Sequence, residues 1–174
     1  MRTFMYALLI VIPALFTGNS LRAQDDAIGK FFGKYIEDSR FTLVSVSPKM
    51  FRLLAKVSWD SIPPDLRGTV QKLHSLRILS TESTPMQFYK EAISKIDLKQ
   101  YEELITVRDK HSDTRFLTKE SGGIITELLM ISVDDGDFTL MSFVGEIDLD
   151  KLSRLSAKLS IKGMENLKDV KKKK

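Results

Sequence analysis

The sequence contains no cysteine and only two histidines, so several kinds of active site are excluded at the outset. Without cysteine there is no disulfide bond, no thiolate nucleophile and no cysteine-based zinc site. The lipobox cysteine on which a bacterial lipoprotein is acylated is missing as well. His74 and His111 lie outside zinc-protease and nucleophile–base motifs, and Gly122-Gly123 joins two predicted strands instead of opening a phosphate-binding helix. No catalytic residue, metal ligand or cofactor is therefore predicted.

No apolar run reaches the roughly 20 residues that a membrane-spanning helix needs. The longest run, residues 4–16, follows Arg2, contains Pro13 and leads into a small, polar segment. This order is typical of a secretory signal peptide, and we predict one over residues 1–23 with Gln24 as the mature start. A retained membrane anchor and a buried N-terminal helix are weaker alternatives, because the run is short and has no polar stripe. The mature protein is predicted to be periplasmic or secreted.

The charge distribution does not favour a nucleic-acid-binding surface. The formal net charge of +4 comes from the two ends of the chain, and residues 24–167, predicted to form one domain, are slightly acidic. Residues 168–174 are predicted to be a flexible lysine-rich tail. The alternative is that the tail contacts an anionic membrane surface or an acidic partner through its terminal residues Lys171, Lys172, Lys173 and Lys174.

The hydrophobic periodicity predicts an α+β fold, with a mainly antiparallel sheet of five or six strands and four or five packed helices. The predicted strands are residues 41–46, 75–80, 101–108, 114–119, 124–133 and 138–147. Short joints rich in turn residues connect the last four strands, and a parallel crossover would need a dozen or more residues. The C-terminal half is therefore predicted to be a β-meander followed by a helix.

Local motifs predict where helices begin and where hairpins turn. Ser47-Pro48 supplies an N-cap and a first-turn proline, and Asp148 is placed to cap the last helix. Thr84 to Gln87 matches a capping box with Pro85 at the first helical position. The segment 134–137, Asp-Asp-Gly-Asp, predicts a hairpin turn, with a calcium site as the alternative.

The two strands 124–133 and 138–147 are apolar on both faces, unlike strands of an antiparallel sheet with one wet face. Something must therefore cover each face. Helices on both sides, or a strongly curled sheet, would satisfy this requirement, and so would a lipid-sized cavity or a partner surface. If a cavity or a partner covers one face, we predict that the ligand- or partner-binding face is formed by Leu128, Met130, Leu140 and Val144.

Four segments together resemble a known bacterial family. They are residues 41–57 with the run Ser-Pro-Lys-Met-Phe-Arg-Leu-Leu, Tyr-Glu-Glu-Leu at 101–104, Ile-Thr-Glu-Leu at 125–128, and Phe-Val-Gly-Glu-Ile-Asp-Leu at 143–149. The family is domain of unknown function 4252, found mostly in Bacteroidetes. The resemblance implies an exported protein, and some relatives are lipoproteins, from which this chain departs because it has no lipobox cysteine. It implies no functional residue.

The sequence thus predicts an exported, non-catalytic envelope protein that binds a partner protein or an apolar ligand. An uncatalogued hydrolase is the first alternative, and a peripheral membrane protein using its lysine tail is the second. A binding protein should show an apolar groove or patch, whereas an enzyme should show a polar cleft with titrating groups of shifted pKa.

Overall fold

The computed structural model of the chain describes residues 27–56, 63–159 and 164. The predicted signal peptide and the lysine tail lie outside the described residues. The described part contains six strands and five α-helices, which confirms the predicted α+β fold. The strands are β1 Thr42–Val46, β2 Leu73–Thr81, β3 Glu102–Arg108, β4 Asp113–Ser121, β5 Ile124–Val133 and β6 Phe138–Ile147. The helices are α1 Ala27–Lys34, α2 Pro48–Lys56, α3 Pro64–Lys72, α4 Pro85–Lys95 and α5 Leu149–Leu159.

All six strands form one antiparallel sheet in the order β1-β2-β6-β5-β4-β3. The run from β3 to β6 is the predicted meander, and α5 follows it directly. The last strand, β6, lies inside the sheet, where it pairs with β5 on one side and with β2 on the other. The two edges of the sheet are therefore β1 and β3.

Helices cover both faces of the sheet, and this explains why the central strands are apolar on both sides. On one face α2, α3 and α5 pack over a core that includes Leu128, Met130 and Phe143. On the other face α1 and α4 pack over a core that includes Leu129 and Leu140. Of the alternatives that the sequence leaves open, the structure shows the protein's own helices on both faces.

Two of the predicted helix caps are confirmed. Ser47 Oγ accepts a hydrogen bond from the backbone N–H of Met50 at 3.3 Å, and Asp148 Oδ1 accepts one from Lys151 N–H at 3.1 Å. Both contacts satisfy a backbone donor that the first turn of a helix leaves unpaired. The capping box at Thr84 is wrong. Thr84 has a left-handed backbone with φ of 46°, and its side chain makes no capping hydrogen bond, although Pro85 does begin α4.

Glycine is required where β6 passes the start of β2. Gly145 has φ of 151°, and a Cβ atom built on it would lie only 2.8 Å from Leu73 Cα and would also clash with the carbonyl oxygen of Lys72. Both of these neighbours are backbone atoms, so they cannot move aside by a rotamer change. The close approach of β6 to β2 thus depends on the absence of a side chain at this position.

Candidate functional site

The four residues predicted to form a binding face do not share one. Met130 pairs with Met141, so Leu128 and Met130 point to the face covered by α2, α3 and α5, while Leu140 and Val144 point to the opposite face. Leu128, Met130 and Leu140 are at most 1% exposed, and Val144 is half-buried. The expectation of an open apolar surface at these residues is therefore wrong, because the chain's own helices cover them.

A polar cleft lies at one end of the sheet, where the start of α4 meets the β3–β4 and β5–β6 loops. Its volume is about 590 Å³. Arg108, Lys110 and His111 supply basic groups, and Asp113 and Asp135 are among the acidic groups facing them. This mixture of charges is the arrangement expected of an enzyme cleft, so its contacts decide whether chemistry is possible there.

Hydrogen bonds within the protein engage one oxygen each of Asp109 and Asp113, while Asp113 Oδ1 is buried without a hydrogen-bond partner. Arg108 donates to Asp113 Oδ2 from Nε at 2.8 Å and from Nη2 at 2.6 Å. Asp109 Oδ1 accepts from the backbone N–H groups of His111 and Ser112 at 2.7 and 2.9 Å. Asp135 Oδ2 lies 2.6 Å from His111 Nδ1, and both side chains are at least 70% exposed. These contacts shape the two loops, and solvent screens the histidine–aspartate pair.

The resolved pKa shifts near the cleft favour the ordinary protonation states. Backbone N–H groups lower the pKa of Asp109. Burial opposes the charge of Asp113, but the neighbouring Tyr89 hydroxyl and Arg108 outweigh it, and the pKa of Asp113 is lowered. Burial raises the pKa of Tyr89. Among the described residues, no hydroxyl group hydrogen-bonds to His111. In this part of the chain His111 is therefore not hydrogen-bonded to a hydroxyl nucleophile.

A buried carboxylate, Glu127, was missed by the sequence reasoning. It is 6% exposed, and it accepts hydrogen bonds from Tyr101 Oη at 2.8 Å and from Ser142 Oγ at 2.7 Å. The signal was present in the sequence as a single acidic residue inside the apolar strand β5. Glu127 does not line the cleft at the end of the sheet. Its two hydroxyl donors satisfy both oxygens, which gives it a structural role joining β6 to the segment before β3.

The hairpin turn between β5 and β6 is confirmed at the acidic segment 134–137. Asp134 Oδ1 accepts hydrogen bonds from the backbone N–H groups of Gly136 and Asp137, both at 2.7 Å. Across residues 27–56, 63–159 and 164, no group of three acidic or histidine side chains could hold a metal ion. None of the helices in this described part is long and apolar enough to cross a membrane.

Exposed apolar side chains concentrate at the β1 edge and on the helix that follows it. Val44 of β1 is 43% exposed, and Met50 and Leu53 of α2 are 47% and 48% exposed. These three account for half of the large apolar side chains that are exposed in the described chain. Val44 pairs with Ile78, which packs on the core beneath α2, so Val44 points to the same side of the sheet as α2.

The helix that carries Met50 and Leu53 also exposes three basic side chains. Lys49, Arg52 and Lys56 of α2 are exposed, and α2 contains no acidic residue. No carboxylate in the described part of the chain pairs with any of the three. We define the β1–α2 surface as the set Val44, Lys49, Met50, Arg52, Leu53 and Lys56.

Comparisons with known proteins identify the family of the chain and nothing more specific. No curated protein matches the chain significantly, and no solved structure does. One family model matches residues 35–155, which is most of the chain and includes all six strands. The chain therefore belongs to the family described as domain of unknown function DUF4252.

Proposed function

We propose that this protein is an exported, non-catalytic binding protein of the bacterial cell envelope, and that the β1–α2 surface holds its partner. The observation that carries the proposal is the exposure of Val44 on the uncharged edge strand β1 and of Met50 and Leu53 on the helix that follows it. Exposed apolar groups cost free energy in water unless something covers them. A partner that buries this surface would remove the cost.

The polar cleft supports a binding protein more than an enzyme. Asp109 and Asp113 are engaged by neighbouring donors and remain charged at neutral pH. A general acid or base works best when its pKa lies near the operating pH. The hydrolase alternative therefore gains no support from the cleft, and the β1–α2 surface remains the better candidate.

Export is proposed from the predicted signal peptide, residues 1–23. The test is cell fractionation of the native host followed by N-terminal sequencing of the recovered protein. We expect the protein in the periplasmic, envelope or culture fraction, with a mature N-terminus at Gln24 or a few residues from it. Recovery from the cytoplasm with residues 1–23 still attached would contradict export.

Binding at the β1–α2 surface can be tested by placing a photo-reactive amino acid at Leu53 in intact cells. Ser94, an exposed residue of α4 on the other face of the sheet, is the matched control position. We expect a discrete adduct from position 53, and its loss when Val44→Lys is added to the same chain. Adduct formation at position 53 no stronger than at position 94 would overturn the proposed function.

A further inference from the structure

We infer that the partner binds as an added β-strand along β1 and that this strand carries acidic side chains on the side of α2. The inference rests on the proposed function, because it names the binding mode and the chemistry of the partner at the same surface. Three properties of the described residues support it: the unpaired backbone of β1, the side to which Val44 points, and the charge of α2.

Among the described residues, one side of the β1 backbone has no strand partner. There β1 pairs with β2 alone, through a register that runs from Thr42 to Val46 without a bulge. The strand Thr-Leu-Val-Ser-Val contains no charge and no proline. Charges, prolines and bulges are the devices by which proteins protect an edge from pairing with another chain. An extended segment of a partner can therefore continue the sheet at β1.

Alternate side chains of an added strand would lie on the side of the sheet that α2 covers. Neighbouring strands lie about 4.8 Å apart, and residues opposite each other on one face are in contact. Val44 points to the face covered by α2, so alternate residues of the added strand would lie beside Val44 on that face. Apolar side chains there would cover Val44, which is 43% exposed.

The positive charge of α2 favours a partner strand that carries acidic side chains. Lys49, Arg52 and Lys56 are exposed and have no carboxylate partner in the described structure. The three cations give α2 a positive field, which attracts acidic side chains on the α2 side of the added strand. Basic side chains in the same positions would be repelled, which gives specificity as well as affinity.

A second copy of this chain is a poor occupant of the same edge. Antiparallel pairing of two β1 strands would relate the copies by a two-fold axis perpendicular to the sheet. Both α2 helices would then lie on the same side, with their unpaired cations near one another. Neither β1 nor α2 contains a carboxylate to offset this repulsion. The structure therefore favours a different, acidic protein segment over self-association.

The test is selection of a displayed library of random nine-residue peptides against the folded protein. We expect enriched peptides with apolar residues at alternating positions and an excess of aspartate and glutamate. For the best enriched peptide, the triple variant Lys49→Gln, Arg52→Gln, Lys56→Gln should weaken binding by about tenfold at low salt. Val44→Lys should reduce binding by more than tenfold.

A matched triple variant on α4 and just beyond it, Lys90→Gln, Lys95→Gln, Lys99→Gln, removes the same charge from exposed positions elsewhere and should leave binding unchanged. Thermal unfolding of each variant shows whether it is folded. Enrichment without an acidic excess, or equal weakening by both triple variants, would overturn the inference. So would a homodimer in solution that Val44→Lys dissociates. If the adduct at position 53 persists while the selection yields no acidic strand, the proposed function stands and this inference fails.

Discussion

The two edges of the sheet, β1 and β3, differ in charge and in the regularity of their pairing. β3 exposes Glu102, Glu103 and Arg108, and its register with β4 is interrupted by a bulge after Glu103. β1 has no charged side chain and no irregularity in its register with β2. Among the strands that the structure describes, each of the two has a neighbour on one side only, so the lack of a second neighbour does not distinguish them.

In the described residues, the same sheet carries these protective features at one edge and lacks them at the other. A charged, bulged edge resists the addition of another strand, because pairing would bury charge or break the register. The open edge at β1 is also the one flanked by exposed apolar and basic groups of α2. The comparison therefore separates a surface suited to a partner from one built to avoid partners.

Among the variants that distinguish the two sides of the sheet, Gly145→Ala is expected to lower stability most, and it acts where β6 meets β2 on the β1 side. The new Cβ would clash with the backbone of Lys72 and Leu73 where β2 begins, and β2 carries β1. We expect a loss of about 2–4 kcal/mol in the free energy of unfolding. Denaturant unfolding measures the loss, and hydrogen exchange should rise more in β1 and β2 than in β3 and β4. An equal rise of hydrogen exchange in β1–β2 and in β3–β4 would show that the clash does not act mainly on the β1 side.

A smaller loss of stability is expected from Asp113→Asn, which acts on the β3 side of the sheet. Arg108 at the end of β3 donates twice to Asp113 at the start of β4, and the carboxylate is only 14% exposed. Removing its charge should cost about 1–3 kcal/mol of stability at pH 7 and loosen β3. Asp135→Asn is the control, because that carboxylate is 77% exposed and its loss should change stability little.

The effect of Asp113→Asn should also depend on pH. The folded protein lowers the pKa of Asp113, so its stabilisation is complete above the pKa of the unfolded chain and is lost as pH falls through the folded pKa. The difference between wild type and variant should therefore shrink on acidification below about pH 4. A difference that stays constant down to pH 2 would show that the charge of Asp113 does not stabilise the fold.

The two edges can be compared directly by adding one lysine to each. Val44→Lys should weaken partner binding at β1 by more than tenfold, or about 1.4 kcal/mol. Thr106→Lys, at an exposed position of β3, should leave binding unchanged, because that edge is already charged. Affinity of the selected peptide measures both variants. Equal weakening by the two substitutions would mean that β1 is not the binding edge.

The smallest effect is expected from Leu53→Ala on stability. Because Leu53 is 48% exposed, its removal should change the free energy of unfolding by less than about 0.5 kcal/mol while still weakening binding. The buried counterpart is Leu128→Ala, which typically costs about 2–5 kcal/mol. A large loss of stability from Leu53→Ala would show that this side chain supports the fold instead of a partner.

The sequence predicted the elements better than it predicted their arrangement. β5 and β6 have the bounds expected from their apolar runs, because buried strands between short turns carry a strong local signal. The expectation of cover on both faces followed from the same pattern. The pairing of β2 with β6 was not predicted, since it joins segments that are distant in the chain and leaves no local mark.

The errors in the candidate site have a physical cause. Leu140 was assigned to the face of Met130, but which face a residue occupies depends on register across the β5–β6 turn, and one residue of difference reverses it. The β1–α2 surface was missed because Val44, Met50 and Leu53 look like core residues in the sequence. Only the structure shows that Phe51 and Ala55 form the inward face of α2.

The position of β6 inside the sheet has a consequence for how the chain folds. β6 is the last strand in the sequence, yet it joins the β1–β2 pair to the β3–β5 strands. The two parts cannot form one sheet until residues 138–147 have been synthesised. Such long-range pairing is slow, because the chain must close a large loop before any contact stabilises it. The complete sheet should therefore await β6, whereas the β3–β5 hairpins, whose contacts are local in sequence, can form earlier.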